Sequence, residues 1–393
     1  MSPELCVNER KNNTSSGKQK QIMLVAGEAS GDLHGGNLVR AMLQIDPTLK
    51  FYGVGGKNLK EAGVDLIADS ADIAVVGLTE VFSKLRTIIK VMRHLKASIK
   101  SVKPDLVILI DYPDFNLSIA KTAKRHGVKV FYYISPQVWA WRKGRIKKIK
   151  KIIDKMVVIL PFEAGLYQEA GVDVTFVGHP LLDTIRTNYS REEALSRFGL
   201  REGVTTVGIL PGSRQSEVVR LLPEMLKAAE IIEKKIHTVQ FVLPIADTLD
   251  NTFVTRIIEQ YPVTVSVIRG EVYDVIHCAD IAMVASGTAT LETALIGTPM
   301  IIVYKVSTPS YYIGKMVINV AHIGMVNILA GKRIVPEFVQ DEACPEKIAT
   351  EVIDILINRK RMDYIKAELI KIRNMLGSPG AAKRAAHLAY NIL

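Results

Sequence analysis

A chain of 393 residues with 48% hydrophobic and 6% aromatic side chains can fill two or three cores, which excludes a disordered chain or a small disulfide-stapled one. Its three cysteines, Cys6, Cys278 and Cys344, are too scattered for a disulfide framework or a cysteine metal site, and the absence of D-x-D, H-E-x-x-H or paired C-x-x-C motifs leaves no metal or other cofactor called for. The formal charge of +11 is unevenly placed: between Lys121 and Lys155 twelve Lys or Arg stand against the single acid Asp154, a bias that seeks phosphate on nucleic acid, an anionic membrane or a substrate.

Residues 1–21 are polar, with no apolar core of a signal peptide, and read as a flexible extension. No later apolar run approaches the roughly 18 residues needed to span a bilayer, so any membrane contact is expected to be peripheral. Residues 22–26 (IMLVA) predict a buried strand, followed by a glycine loop holding Glu28 and Ser30 and then a helix to about residue 43. This is strand, glycine loop, helix without the G-x-G-x-x-G spacing, and it reads equally as a ligand loop or a plain tight turn. A second strand is expected at 51–54. Residues 75–95 place Leu78, Phe82, Leu85 and Ile89 on one helical stripe with Lys84, Arg86, Lys90 and Arg93 opposite. Such a basic amphipathic helix either packs on a core or rests on an anionic membrane.

Residues 106–110 (LVILI) predict a fully buried strand that ends at Asp111, with Asp114 placed to cap the helix after Pro113. In doubly wound sheets the carboxyl ends of strands face the ligand crevice, so Asp111 is a candidate base, or else a capping or ion-paired acid. The strand at 130–134 runs into Ser135–Arg142, where both tryptophans of the chain lie beside the basic stretch, set either to stack on a ligand or to pack at a domain edge. Strands at 156–160 and 175–177 lead to His179, a titratable loop residue or one held by backbone hydrogen bonds.

The polar run 186–203 reads as a junction, after which the pattern restarts. A strand at 206–210 meets the corner Gly212-Ser213-Arg214 and a helix over 217–233; further strands follow at 240–244 and 263–267. Residues 281–285 form a strand that turns at Ser286, Gly287 and Thr288 into a helix closed by Gly297 and Pro299, with Glu292 about one turn in. A helix start offers unpaired N–H groups and a positive dipole end to a phosphate, whereas Glu292 would repel phosphate and suits neutral hydroxyls such as those of a ribose. As a plain element, Thr288 would be its N-cap and Glu292 a solvated acid. A strand at 300–304, an apolar loop at 323–327 containing Asn327, and basic helices over 345–393 complete the chain.

The fold class expected is therefore α/β, with two facing Rossmann-like domains at 22–187 and 188–365, a ligand cleft between them, and C-terminal helices at 366–393 packing back on the first domain.

In combination, LVAGEASGD (24–32), IDYPDFN (110–116), SPQVWAWR (135–142), LPFE (160–163), FVGHP (176–180), LPGSR (210–214), ASGTATLE (285–292) and NILAG (327–331) resemble the lipid-A-disaccharide synthase family, in family order over nearly the whole chain. The resemblance implies an inverting GT-B glycosyltransferase. Its donor would be UDP-2,3-diacylglucosamine and its acceptor 2,3-diacylglucosamine 1-phosphate, giving a β-1,6 lipid A disaccharide 1-phosphate and UDP. It implies Asp111 as general base and Arg214, Ser213, Gly212, Ser286, Gly287, Thr288, Glu292 and Asn327 around the nucleotide sugar, with Glu28, Ser30 and His179 as second-line groups. Val326 departs from the proline that many relatives carry there, which points to a less rigid loop. An enzyme acting on acylated sugars needs to meet the lipid surface, so Leu78, Phe82, Leu85 and Ile89 are expected to touch membrane lipids from the cytoplasmic side of the inner membrane. A homodimer is one admissible state. The competing readings are another GT-B enzyme of UDP-sugars and a basic RNA-binding protein; the latter leaves LPGSR and ASGTATLE unexplained, so no nucleic-acid partner is expected.

Overall fold

The computed structural model describes residues 19–73, 78–141, 143–246, 248–307, 311 and 321–393. Residues 1–18 of the expected extension, 75–77 of the expected basic helix, Arg142, and the side chains of Leu78, Phe82 and Trp141 lie outside that description.

Two parallel sheets carry the fold. The first comprises β1 (Gln21–Ala26), β2 (Lys50–Gly55), β3 (Asp65–Asp69), β4 (Leu106–Ile110), β5 (Lys129–Tyr133), β6 (Lys155–Val158) and β7 (Val174–Phe176), in the order β3-β2-β1-β4-β5-β6-β7. The second comprises β8 (Thr205–Leu210), β9 (Val239–Ile245), β10 (Val265–Arg269), β11 (Ile281–Ala285), β12 (Met300–Tyr304) and β13 (Glu337–Val339), in the order β10-β9-β8-β11-β12-β13. Strands such as β4 and β11 are apolar at every position and wholly buried, as parallel strands covered on both faces must be. By compactness the chain divides into one unit that ends at Tyr133 and also takes in Ile152–Asp154 and Ala386–Leu393, and a second made of Ile134–Lys151 and Lys155–Ala385.

Strand order determines where ligands can bind. In each sheet the chain starts at a central strand, winds outward to one side, then returns to the other side of its first strand: β1 lies beside β4, and β8 beside β11. These are the two topological switch points, where the loops after neighbouring strands diverge and leave a crevice at the carboxyl ends.

Several local expectations change. The segment 323–327 is a loop only at residues 323–324: a helix runs from Met325 to Ala330 and stops at Gly331 in the left-handed region, and Val326 is fully buried inside it. The junction holds a helix, Arg191–Arg197, started by a reciprocal capping box between Ser190 and Glu193. Asp114 is not a cap, because Tyr112 takes that position and Asp114 falls in the first helical turn. The basic helix spans Leu78–Val102; Val91, Leu95 and Ile99 further along it are buried, while Leu85 and Ile89 of the expected stripe remain 43% and 39% exposed. The cationic run is partly neutralised, Lys124 pairing with Asp154 and Lys155 with Asp173 at 2.6 Å.

Candidate active site

The first switch point is built from the ends of β1 and β4. Strand β1 runs into Gly27 and the exposed residues Glu28 and Ser30, with Glu28 at the N-cap of the helix Ala29–Ile45. One turn on, the buried carboxylate of Asp32 is spent on the fold. It accepts the backbone N–H groups of Gly56 (2.6 Å), Asn58 (2.9 Å) and Leu59 (3.1 Å), anchoring the start of the helix Lys57–Glu61. Strand β4 delivers Asp111 and Tyr112, both left-handed at φ 46° and 45°. For residues other than glycine this costs on the order of 1–3 kcal/mol each and needs a surrounding structure to hold it.

That structure is present. The Asp111 carbonyl oxygen accepts Asn116 Nδ2–H at 2.7 Å and the Tyr132 hydroxyl at 2.5 Å, while the Asp111 N–H donates to Tyr133 O at 3.3 Å. The Tyr112 hydroxyl donates to Ile73 O at 2.7 Å, and its ring covers Gly27 so closely that a Cβ there would stand 2.4 Å from Cδ1. Glycine at 27 is thus required by the ring above it. Burial pushes the Asp111 carboxyl up to about 6, assisted by the negative charge of Glu28 and opposed by the Tyr112 N–H. A carboxylate of that basicity can take a proton near neutral pH.

The second switch point joins the ends of β8 and β11. After Leu210 the chain turns through Gly212 at φ 108° to Arg214, the N-cap of the helix Gln215–Lys235. Glu217 folds back over this corner, accepting Arg214 Nη1–H at 3.0 Å and the Ser213 N–H at 3.3 Å; a Cβ on residue 212 would meet its Oε2 at 2.4 Å. The Arg214 side chain is still 64% exposed, so most of its donor fork faces outward. After Ala285 the corner Ser286-Gly287 opens the helix Thr288–Ile296, whose N-cap is Gly287 rather than Thr288, with no side chain closing it. The first N–H groups of that helix are not capped by a side chain, and Gly287 and Thr288 are exposed. Glu292 is half-buried and accepts the Tyr273 hydroxyl at 3.2 Å. Burial pushes its pKa above the ordinary carboxylate range against the lowering effect of that bond, and Tyr273 is pushed up to about 12. A carboxylate already paired with a hydroxyl suits further neutral hydroxyl partners better than phosphate.

Three sequence candidates are turned toward the protein itself. His179 is buried, its Nδ1 accepting the Leu181 N–H at 3.2 Å and its own N–H donating to Leu376 O at 2.9 Å, the arrangement of a histidine held by backbone. Trp139 donates to the buried Glu163 at 3.1 Å and packs edge-on against Phe162, so it is a packing residue. Asn327 is wholly buried and its amide is fully engaged: Nδ2 donates to Val335 O and Glu337 Oε1, and Oδ1 accepts the N–H groups of Ile334 and Val335. Glu337 in turn accepts the N–H groups of Ile323 and Gly324, and Ile323 O accepts the Ser286 hydroxyl at 3.4 Å. Asn327 therefore reaches the Ser286 corner through Glu337 and this loop. Replacing it with Ala removes four hydrogen bonds and leaves buried N–H groups unpaired, an expected loss of about 3–5 kcal/mol measured as a fall in the denaturant midpoint. A loss below 1 kcal/mol would contradict this role.

Tyr273, Glu217, Asn116 and Tyr132 were not singled out by sequence. Asn116 lies within IDYPDFN and Glu217 three residues after LPGSR, so both were within reach of motif reading; Tyr273 and Tyr132 carried no signal beyond strand or helix propensity. Among the described residues no group of three or more His, Cys, Asp or Glu is arranged to hold a metal ion.

Comparison of folds places the chain in a class. The glycotransferase of kitacinnamycin covers 96% of this chain and 100% of its own at a TM-score of 0.61 and 14% identity. The UDP-GlcNAc 2-epimerase from Neisseria meningitidis bound to UDP-GlcNAc covers 94% and 98% at 0.54 and 11%. The fold is the two-domain α/β architecture that GT-B glycosyltransferases share with such epimerases. Sequence narrows this further: the family model for lipid-A-disaccharide synthetase matches residues 22–392, and the lipid-A-disaccharide synthase of Syntrophus aciditrophicus is 60% identical over 375 residues, 95% of this chain and 98% of that protein. The chain belongs to the lipid-A-disaccharide synthase family and is a glycosyltransferase of lipid A biosynthesis. The resemblance carried by the eight motifs is borne out, as is the α/β two-domain class of fold.

Proposed function

We propose that the enzyme joins UDP-2,3-diacylglucosamine to 2,3-diacylglucosamine 1-phosphate with inversion, giving the β-1,6-linked disaccharide 1-phosphate and UDP. The observation that carries this reading is the chemistry of the two switch points: one presents a carboxyl of raised basicity, the other an exposed arginine and an open helix start. In the reaction the acceptor hydroxyl oxygen attacks the anomeric carbon as its proton passes to Asp111, the bond to the diphosphate oxygen breaks, and UDP leaves with that electron pair. Arg214 and the N–H groups at 286–289 meet the charge that develops on the diphosphate. Glu292 takes the ribose hydroxyls, and Asn327 holds the loop behind Ser286. In this reading residues 22–187 form the acceptor side and 188–365 the donor side; the expected return of 366–393 to the first domain is corrected, since the helix Arg359–Met375 packs on the helices Thr288–Ile296 and Met325–Ala330 and only Ala386–Leu393 falls with the first unit. Product analysis with acylated and unacylated UDP-glucosamine tests it: a disaccharide formed equally well from the unacylated donor, or an epimerised sugar nucleotide, would replace it with another UDP-sugar activity.

The amphiphilic substrates bring the enzyme to the cytoplasmic surface of the inner membrane. Among the described residues no helix is long and apolar enough to cross a bilayer. Exposed Leu85 and Ile89, four residues apart on a helix that also displays Arg86, Lys90 and Arg93, support peripheral contact. Leu85→Ser with Ile89→Ser is expected to reduce partitioning onto anionic vesicles about tenfold or more. Unchanged cosedimentation would remove the helix from the membrane contact.

A further inference from the structure

We propose that Asn116 and Tyr132 are positioning residues for the transfer reaction, clamping the left-handed backbone at Asp111 so that its carboxyl is presented in one orientation. The inference deepens the general-base reading of Asp111 and rests on it.

Both clamps converge on a single atom. The Asp111 carbonyl oxygen is held by Asn116 Nδ2–H at 2.7 Å and by the Tyr132 hydroxyl at 2.5 Å, one from the helix Pro113–Arg125 and one from the neighbouring strand β5. Asn116 Nδ2 also donates to Ile110 O at 3.1 Å, so the same amide holds the last peptide of β4 and the first beyond it. Two carbonyl acceptors oblige the amide to point its nitrogen at them, since the flipped orientation would set oxygen against oxygen. Its Oδ1 is left buried without a hydrogen-bond partner. A fully buried asparagine that leaves one polar atom unmet while two donors grip the turn is poorly explained by stability alone, because a buried unpaired oxygen is unfavourable. It is explained by the conformation it enforces: two consecutive left-handed residues, Asp111 and Tyr112, neither of them glycine.

Release of either clamp lets the Asp111 peptide relax toward the right-handed region, which swings the carboxyl out of its buried setting and away from Glu28. Two readouts follow. The rate falls because the base is misplaced, and the acid limb of kcat moves below about 6 toward the ordinary aspartate range, since burial and Glu28 are what raise it. A residue needed only for folding would lower the yield or melting temperature without moving that limb.

The test is a double-mutant cycle with Tyr132→Phe, which removes one oxygen, and Asn116→Ala, each made alone and combined with Asp111→Asn. Donor and acceptor are kept saturating and turnover is followed across pH 5–9. Tyr132→Phe is expected to lose about tenfold in kcat with an acid limb shifted downward and donor KM unchanged, and to cost nothing further when Asp111 is already Asn. Wild-type turnover with an unmoved acid limb in Tyr132→Phe would overturn the inference, as would the same tenfold loss added on top of Asp111→Asn. Should Asn116→Ala not fold, the Tyr132→Phe arm decides alone. Near-full turnover in Asp111→Asn itself would instead overturn the base reading, a result distinguishable from failure of the clamp.

Discussion

Asp111→Asn is expected to reduce kcat by about 10²–10⁴ at saturating substrates while making the protein more stable at neutral pH. The loss of rate follows from the proposed reaction, in which the carboxyl at the end of β4 takes the acceptor's proton. The gain in stability follows from linkage, with the sign opposite to that of a salt-bridged acid. The folded protein raises the carboxyl from 3.8 to about 6, so the neutral form is the one the fold accommodates. That favourable contribution is complete below 3.8, and it is lost as pH rises through about 6 and the buried group ionises. The shift corresponds to about 3 kcal/mol at pH 8, and asparagine, which cannot ionise, escapes it. Thermal melts at pH 8 should therefore show Asp111→Asn melting above wild type, with the difference vanishing near pH 3.5. A variant equally stable at both pH values would mean that the carboxyl is not buried as described. The wild-type enzyme, for its part, should lose activity tenfold per pH unit below about 6.

Arg214→Ala is expected to lower kcat/KM by about 10²–10³, the loss typical of removing one donor from a site of developing negative charge. Most of it should appear in kcat if the arginine meets the departing diphosphate, and mostly in donor KM if it binds the ground state equally. Arg214→Lys should recover little, because a point charge cannot reproduce the planar fork. Glu217 adds an internal check. Its carboxylate accepts from Arg214 Nη1 and from the Ser213 N–H, so it ties the guanidinium to the corner. UDP affinity measured by calorimetry on Arg214→Ala should fall in parallel with the rate constant, and unaltered UDP binding would move the diphosphate away from this corner.

The parts of this arrangement that were legible in the sequence are those with strong local signals. The apolar runs IMLVA, LVILI and IAMVA could only be buried parallel strands, and the glycine corners after β1, β8 and β11 marked where strands give way to helices. Switch points were legible only indirectly, since strand order is a long-range property that no local pattern encodes. Two of the four edge strands, Asp65–Asp69 and Glu337–Val339, escaped: the first is bounded by acids at both ends and the second is only three residues long, so neither shows a clear apolar run. Helix Met325–Ala330 escaped because six residues are too few to show a period. In the candidate site, acids and arginines at strand ends could be named from sequence. Their settings could not, because the left-handed turn at Asp111, the return of Glu217 and the hydroxyl of Tyr273 beside Glu292 all depend on residues far apart in the chain or on backbone shape. Asn327 illustrates the limit best. Motif placed it with the nucleotide sugar, whereas its four hydrogen bonds tie its amide to Ile334, Val335 and Glu337, and only Glu337 carries on to the loop behind Ser286.

The most direct test of the whole account is a coupled measurement of UDP release and disaccharide formation with both diacylated substrates, on wild type and Asp111→Asn side by side. Wild type is expected to release one UDP per β-linked disaccharide, dependent on the acylated acceptor, and both products should fall together by about a hundredfold or more in the variant. UDP release at the wild-type rate without acceptor, or an undiminished disaccharide yield in Asp111→Asn, would contradict it.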